Sequence, residues 1–142
     1  MISLVNGLAG GLVATIAMSM FMMTLGDDSP PPTSLFWSKY VGDGNPSEYV
    51  PQGMALHMIY GIVAGAVFVV GADAVGLTVD GLDGGLLWGL AYGVVLFVGA
   101  AAFWMNAVLG IDADRKMVGM FLFFHLVYGV VLGPWVGLNI LG

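Results

Sequence analysis

Apolar residues run along this chain in four long stretches, and the charged residues are confined to the gaps between them. The stretches cover roughly Ile2 to Leu25, Gln52 to Gly71, Gly84 to Leu109 and Met117 to Leu141, and none contains Asp, Glu, Lys or Arg. A helix crosses the hydrocarbon of a bilayer with about 20 predominantly apolar residues. Each stretch is therefore read as a transmembrane helix, and the fold class is all-α: a polytopic membrane protein of four spans in a single membrane domain over residues 1–142. The first stretch has no basic segment ahead of its apolar run and no clear small-residue cleavage site behind it, so it is read as a span and not as a cleavable signal.

The connection from Asp27 to Pro51 is the only long one. It opens with Ser29-Pro30-Pro31-Pro32, whose fixed φ angles and missing donors stop the preceding helix. Thr33-Ser34-Leu35-Phe36-Trp37-Ser38-Lys39-Tyr40 then combines an N-cap residue with clustered aromatics, which predicts a short helix lying at the membrane surface. Trp37 and Tyr40 are its expected interface anchors, and Trp135 plays that part in the fourth span. The turn Gly42-Asp43-Gly44-Asn45-Pro46 has the alternating spacing of a calcium loop with Asp43, Asn45 and Ser47, but it lacks the required glycine and the closing glutamate. Calcium is excluded there.

The two halves of the chain repeat one another. Leu56-His57-Met58-Ile59-Tyr60-Gly61, followed by Gly65, matches Phe124-His125-Leu126-Val127-Tyr128-Gly129, followed by Gly133. Gly7-Leu8-Ala9-Gly10-Gly11-Leu12 likewise matches Gly81-Leu82-Asp83-Gly84-Gly85-Leu86. A duplicated two-helix hairpin explains both matches and predicts copies related by a pseudo-twofold axis along the membrane normal. Helices in lipid associate through close backbone approach at small residues. Gly7 and Gly11, Gly61 and Gly65, Gly85 with Gly89 and Gly93, and Gly129 with Gly133 and Gly137 supply such stripes at a spacing of four, which predicts a compact four-helix bundle. The stripes serve equally for contact with another subunit or a second copy. Gly133-Pro134 is expected to kink the fourth span.

Composition sharpens the class. Hydrophobic residues make up 59% of the 142 positions and charged residues 8%, against roughly a quarter charged in an ordinary soluble protein. With no cysteine, a disulfide or thiolate-metal scaffold is excluded. Three basic residues against nine acidic ones, a net charge of −6, exclude a nucleic-acid partner, which is held through Lys and Arg contacts to phosphate. Basic residues also set orientation. Lys39 lies in the first connection, Arg115 and Lys116 in the third, so these loops are expected to face the cytoplasm and the termini the outside.

Tyrosines aside, the only ionisable side chains inside the spans are His57 and His125, about 9 and 12 Å below the ends of their spans. Two readings follow. In one, each imidazole donates to a carbonyl or polar group of a neighbouring helix and fixes packing, with no cofactor. In the other, the two face each other and ligate the iron of a haem b from both sides, Gly61 and Gly129 leave room for the ring, and Arg115 and Lys116 meet the propionates. A proton relay through His57, His125, Tyr60 and Tyr128 is the third use, without an intramembrane carboxylate to support it. Met18, Met20, Met22 and Met23 cluster near the end of the first span, with Met54 and Met58 beside His57. Thioether and imidazole suit Cu(I) only if those sulfurs converge, and methionine is also a flexible core filler, so no metal is assigned. With no nucleophile elbow, no cysteine and no carboxylate beside either histidine, the residues describe no enzyme.

The acidic loops suit a protein from a very salty cell. Together with Gly7-Leu8-Ala9-Gly10-Gly11, Gly26-Asp27-Asp28-Ser29-Pro30-Pro31-Pro32 and the paired His-x-x-Tyr-Gly segments, they give a chain that resembles the small four-helix membrane proteins of unknown function found in haloarchaea. Those are distantly similar to the YagU-type proteins of bacteria. The resemblance implies a fold and a habitat and carries over no site residue. The expected role is that of a non-enzymatic integral membrane protein, surrounded by lipid, that serves as an accessory or structural subunit of a larger membrane complex, respiratory complexes among them. The alternatives are a b-type haem protein using His57 and His125, and a small transporter or proton-coupled sensor.

Overall fold

The structure, a computed structural model, describes residues 3–142; Ile2, where the first span was expected to open, lies outside them. The described residues form helices and turns with no strand: α1 (Leu4–Leu25), α2 (Pro32–Tyr40), α3 (Val50–Ala74), α4 (Gly81–Ala100) and α5 (Arg115–Gly137). A 3-10 turn, Pro46–Tyr49, leads into α3, and a π-helix, Ala101–Val108, continues α4. Four of these helical stretches are long and apolar enough to cross a membrane.

Local chemistry sets the boundaries. Ser3 accepts the amide of Asn6 at 3.1 Å and starts α1, and Asp114 accepts that of Met117 at 2.8 Å and starts α5. The proline run stops the chain after α1, and Pro32 then opens α2 as its first residue. Asn45 and Glu48 form a reciprocal capping box, which is the use the structure makes of the Asp43–Ser47 segment. Gly76, at φ 69°, reverses the chain after α3. The fourth span ends as a helix at Gly137 and not at Leu141, because the chain turns at Asn139, which takes φ 51°. α5 runs on through Pro134, which lacks the N–H for one helical hydrogen bond.

Packing follows the glycines. A Cβ on Gly11 would lie 2.7 Å from the carbonyl oxygen of Gly61, and one on Gly7 would lie 2.8 Å from that of Gly65, so α1 and α3 touch backbone to backbone. In the second hairpin a Cβ on Gly85 would lie 2.5 Å from the carbonyl oxygen of Gly133, and one on Gly129 would collide with that of Gly89. The opposite side of α1 receives α5, where Gly10 faces Trp135 and Leu132. Thus α1 packs on both α3 and α5, and α4 packs on α5. α4 reaches α3 through side chains, with Phe68 and Tyr92 at 4.9 Å between ring centroids and the Tyr92 hydroxyl donating to the carbonyl of Ala64.

Two features depart from the expected pseudo-twofold. Strict symmetry would match the close α1–α5 contact with an equally close α4–α3 contact, which is bridged by side chains instead. The hairpins also differ in register. Gly11 meets Gly61 and Ile62, whereas its counterpart Gly85 meets Gly133 and Pro134, one helical turn further along than the sequence match of Gly61 with Gly129. The residue types explain the slip. Val69 corresponds to Gly137 in the repeat, and its side chain already lies 2.7 Å from a Cβ on Gly7. A valine there blocks the slide in the first hairpin, while Gly137 lets α5 advance until it touches Gly81 and Gly85.

Candidate functional site

The interior is built in layers across α1, α3 and α5. Thr15 of α1 fills the notch at Gly61 of α3 and donates to the carbonyl of Gly11 at 2.6 Å, and the hydroxyl of Tyr128 on α5 donates to the carbonyl of Gly61 at 2.6 Å. These residues close the bundle at one level. One helical turn towards the end that carries α2, at i±4 or i±3 from each, stand Ser19, His57 and His125. His57 on α3 and His125 on α5 each stand one turn from the Tyr128–Gly61 contact.

Their environments differ. His125 is 5% exposed, and its Nδ1 lies 2.7 Å from the carbonyl oxygen of Phe121. A carbonyl only accepts, so Nδ1 carries the proton and Nε2 keeps its lone pair. Phe121 and Phe97 pack edge-on to the ring at 4.6 and 6.3 Å. His57 is half-buried, and its Nε2 is enclosed without a hydrogen-bond partner. Ser19 is 8% exposed and its hydroxyl is equally unpartnered. The bond to a neighbouring helix expected of each histidine is not among these contacts: Nδ1 of His125 donates within its own helix, and Nε2 of His57 has no partner.

The haem reading does not fit this interior. The ring was to occupy the space at Gly61 and Gly129, yet Thr15 fills the first and the backbone of Gly89 the second. Arg115 and Lys116 are exposed at the start of α5, and Lys116 lies within electrostatic reach of Asp27. The methionines separate into two groups. Met20 and Met23 are 63% and 81% exposed and point away, whereas Met18 is buried in the core with Met22 and Met120 packed against it. Met54 and Met58 are half-buried along α3.

The aromatic anchors also separate. Trp37 is half-buried in α2 and Tyr40 is 55% exposed. The hydroxyl of Tyr40 and the ammonium of Lys39 both donate to the carbonyl of Val108, at 2.7 and 3.1 Å, where the π-helix ends. α2 is thereby tied to the π-helix that follows α4 as well as to α3, where Ser34 fits against Gly53. Trp135 is not an outward anchor: its ring lies against Gly10 inside the bundle, and its indole N–H is enclosed without an acceptor.

Several polar contributors are neutral residues that a search for ionisable groups passes over. Asn6 is fully buried and donates to Asn139 at 3.1 Å, tying the start of α1 to the turn after α5. Thr15, Ser19 and Tyr92 belong to the same class, and their signal in the sequence was a polar residue one or two turns from a glycine stripe. Two cavities lie elsewhere. One, of about 440 Å³, opens at the α3–α4 turn beside Asp73, Thr78, Asp80 and Asn139, and an apolar groove of about 350 Å³ runs along α1 and α3. Comparison with known proteins finds no match to this chain among protein-family models, curated proteins or solved structures.

Proposed function

We propose that this chain is a non-enzymatic integral membrane protein that acts by lateral contact, as an accessory or structural subunit of a larger membrane assembly, with respiratory complexes the class to examine first. The observation that carries the reading is a set of glycines with no internal use. Gly71, Gly84, Gly99 and Gly119 lie on long apolar helices, and a Cβ on any of them would meet nothing within 4 Å. Glycine inside a helix is less stable than alanine by about 0.5–1 kcal/mol, so smooth outward patches kept at that cost suit the approach of another helix. Gly71 lies in the apolar groove with Leu8, Val63 and Val67.

The interior supports the same reading. Backbone contact closes both hairpins, and the hydroxyls of Thr15, Tyr92 and Tyr128 are engaged with carbonyls. In this proposal the loops bearing Lys39, Arg115 and Lys116 face the cytoplasm and the termini face outward. The habitat is a high-salt one, on the resemblance to the haloarchaeal four-helix proteins. The test is gentle extraction from native membranes at high salt after photo-crosslinking from position 67. A discrete adduct with a second polypeptide is expected. A chain that migrates alone and crosslinks only to lipid refutes the proposal.

A further inference from the structure

We propose that Ala101–Val108 is a two-register segment whose π winding is held by α2, so that lifting α2 rewinds it as α-helix and moves the connection to α5. π-helices are rare and occur mostly as single-turn bulges, frequently at functional sites, whereas this one runs for eight residues. Nothing in its own sequence calls for that winding. Ala101-Ala102-Phe103-Trp104-Met105-Asn106-Ala107-Val108 has no glycine or proline, and alanine and methionine, four of the eight residues, are among the better α-formers. Local preference therefore favours an α-helix, and the wider turn has to be imposed by what packs against it. Backbone pairing is discrete, to the carbonyl five residues back or four, so the segment has two registers and no continuum between them.

α2 supplies the constraint at two points. Trp104, in the middle of the segment, stands edge-on to Phe36 of α2 at 5.3 Å and to Tyr60 of α3 at 6.4 Å between ring centroids. At the segment's end the Val108 carbonyl accepts from both the Tyr40 hydroxyl and the Lys39 ammonium. The pairing there is the wide one: the amide of Leu109 bonds to the carbonyl of Trp104, five residues back, at 2.9 Å. In an α winding Leu109 would pair with Met105 instead, whose carbonyl now accepts from Ile111 at 2.7 Å, so rewinding reaches into the connection. It cannot be absorbed on the other side, because α4 is locked to α5, where a Cβ on Gly93 would lie 2.6 Å from the carbonyl oxygen of His125. The change passes to residues 109–114 and to the start of α5, where Asp114 caps the helix and Arg115 and Lys116 are exposed. Tyr40 is 55% exposed, so a molecule that engages α2 competes for a side chain that holds the π register. By linkage, whatever favours the α register at the third connection also favours release of α2.

The test maps hydrogen-bond partners in the full chain in detergent by NMR couplings across the bond, from the amide nitrogen of Leu109 to carbonyl carbons, and follows the Phe36–Trp104 contact by cross-relaxation between ring protons. The unaltered chain is expected to pair Leu109 with Trp104. Two variants lift α2 by different routes. Lys39→Met with Tyr40→Phe removes both donors to Val108, and Gly53→Leu leaves those donors in place and drives Ser34, and α2 with it, off α3. In both, the partner of Leu109 is expected to change to Met105 and the Phe36–Trp104 contact to vanish, while the amides of α5 keep their protection and show that the bundle is intact. Leu109 paired with Met105 in the unaltered chain, the Trp104 pairing kept in either variant, a rewound segment with Phe36 still on Trp104, or loss of all pairing over residues 101–108 overturns the inference. No partner subunit enters the measurement, so this inference and the contact role fail separately.

Discussion

Gly89→Ala is the sharpest test of how this bundle is held together. α4 packs most closely against α5, so whatever loosens that seam acts on the whole helix. A Cβ at Gly89 would collide with the carbonyl oxygen of Gly129 and lie 2.7 Å from Cα of Gly133. Ordinary contact begins near 3.4 Å, so the Gly133 contact alone requires a local separation of about 0.7 Å and the Gly129 carbonyl requires more, enough to forfeit at least a quarter to a half of the dispersion energy of the facing atoms. Overpacking of this kind destabilises by about 1–3 kcal/mol, and the better helix propensity of alanine offsets about 0.5–1 kcal/mol of it. Gly99→Ala is the matched control, since nothing lies within 4 Å of its Cβ and only the propensity gain remains. Reversible unfolding in mixed detergent micelles, followed by circular dichroism, is expected to place Gly89→Ala below the unaltered protein and Gly99→Ala at or above it. Equal stability of the two variants would refute the glycine-seam account.

Four further outcomes are expected. Tyr128→Phe removes the α5–α3 hydrogen bond at Gly61, and unfolding should lose roughly 0.6 kcal/mol and no more than about 1.7 kcal/mol, the range for interhelical bonds in membranes; a larger loss would give the hydroxyl a second role. Lys39→Met combined with Tyr40→Phe frees the Val108 carbonyl, and hydrogen exchange should speed up in α2 and residues 101–108 while α5 keeps its protection; unchanged α2 protection would count against the tie. The Ser29 side chain, with its backbone N–H at 3.1 Å, holds the Asp27 carboxyl below the usual aspartate range. A depressed folded value means that this contact stabilises the loop above the unfolded pKa of about 3.9 and is lost as pH falls through the folded value; Ser29→Ala should raise the Asp27 midpoint in a carboxyl NMR titration, and an unmoved midpoint would exclude the contact. Gly137→Val restores the residue type of the first hairpin and should destabilise α5 against Gly81 and Gly85 by about 1–3 kcal/mol, whereas an unaffected unfolding midpoint would show that Val69 does not set the register.

Much of the architecture was legible because the bilayer imposes it. Uninterrupted apolar runs found the four long helices, since lipid tolerates no unpaired backbone, and fourfold glycine spacing found the seams, since small residues are what lets helices touch there. The short helix was visible in the proline run and the aromatic cluster after it. What the residues left open was depth and direction. The sequence match pairs Gly61 with Gly129, but the distance a helix slides along its neighbour depends on the first bulky residue to stop it, and Val69 against Gly137 is a single difference outside the shared motif.

The same logic governs the histidines. The sequence match predicts them at one level, but judging whether a cofactor fits between them needed the occupants of Gly61 and Gly129. Those glycines looked like room for a ring when read one helix at a time. Across the interface they are already filled, by Thr15 and by the backbone of Gly89, because a notch that admits a macrocycle equally admits a neighbouring helix, and the helix is always present at high effective concentration. A glycine opposite a glycine stripe is therefore evidence for a seam. A glycine on an apolar helix with nothing opposite, as at Gly71, Gly84, Gly99 and Gly119, leaves a smooth outward face, the feature on which the proposed contact role rests. The enclosed polar atoms without partners at His57 Nε2 and the Ser19 hydroxyl lie one turn away from the Gly61 seam and not at the glycines themselves.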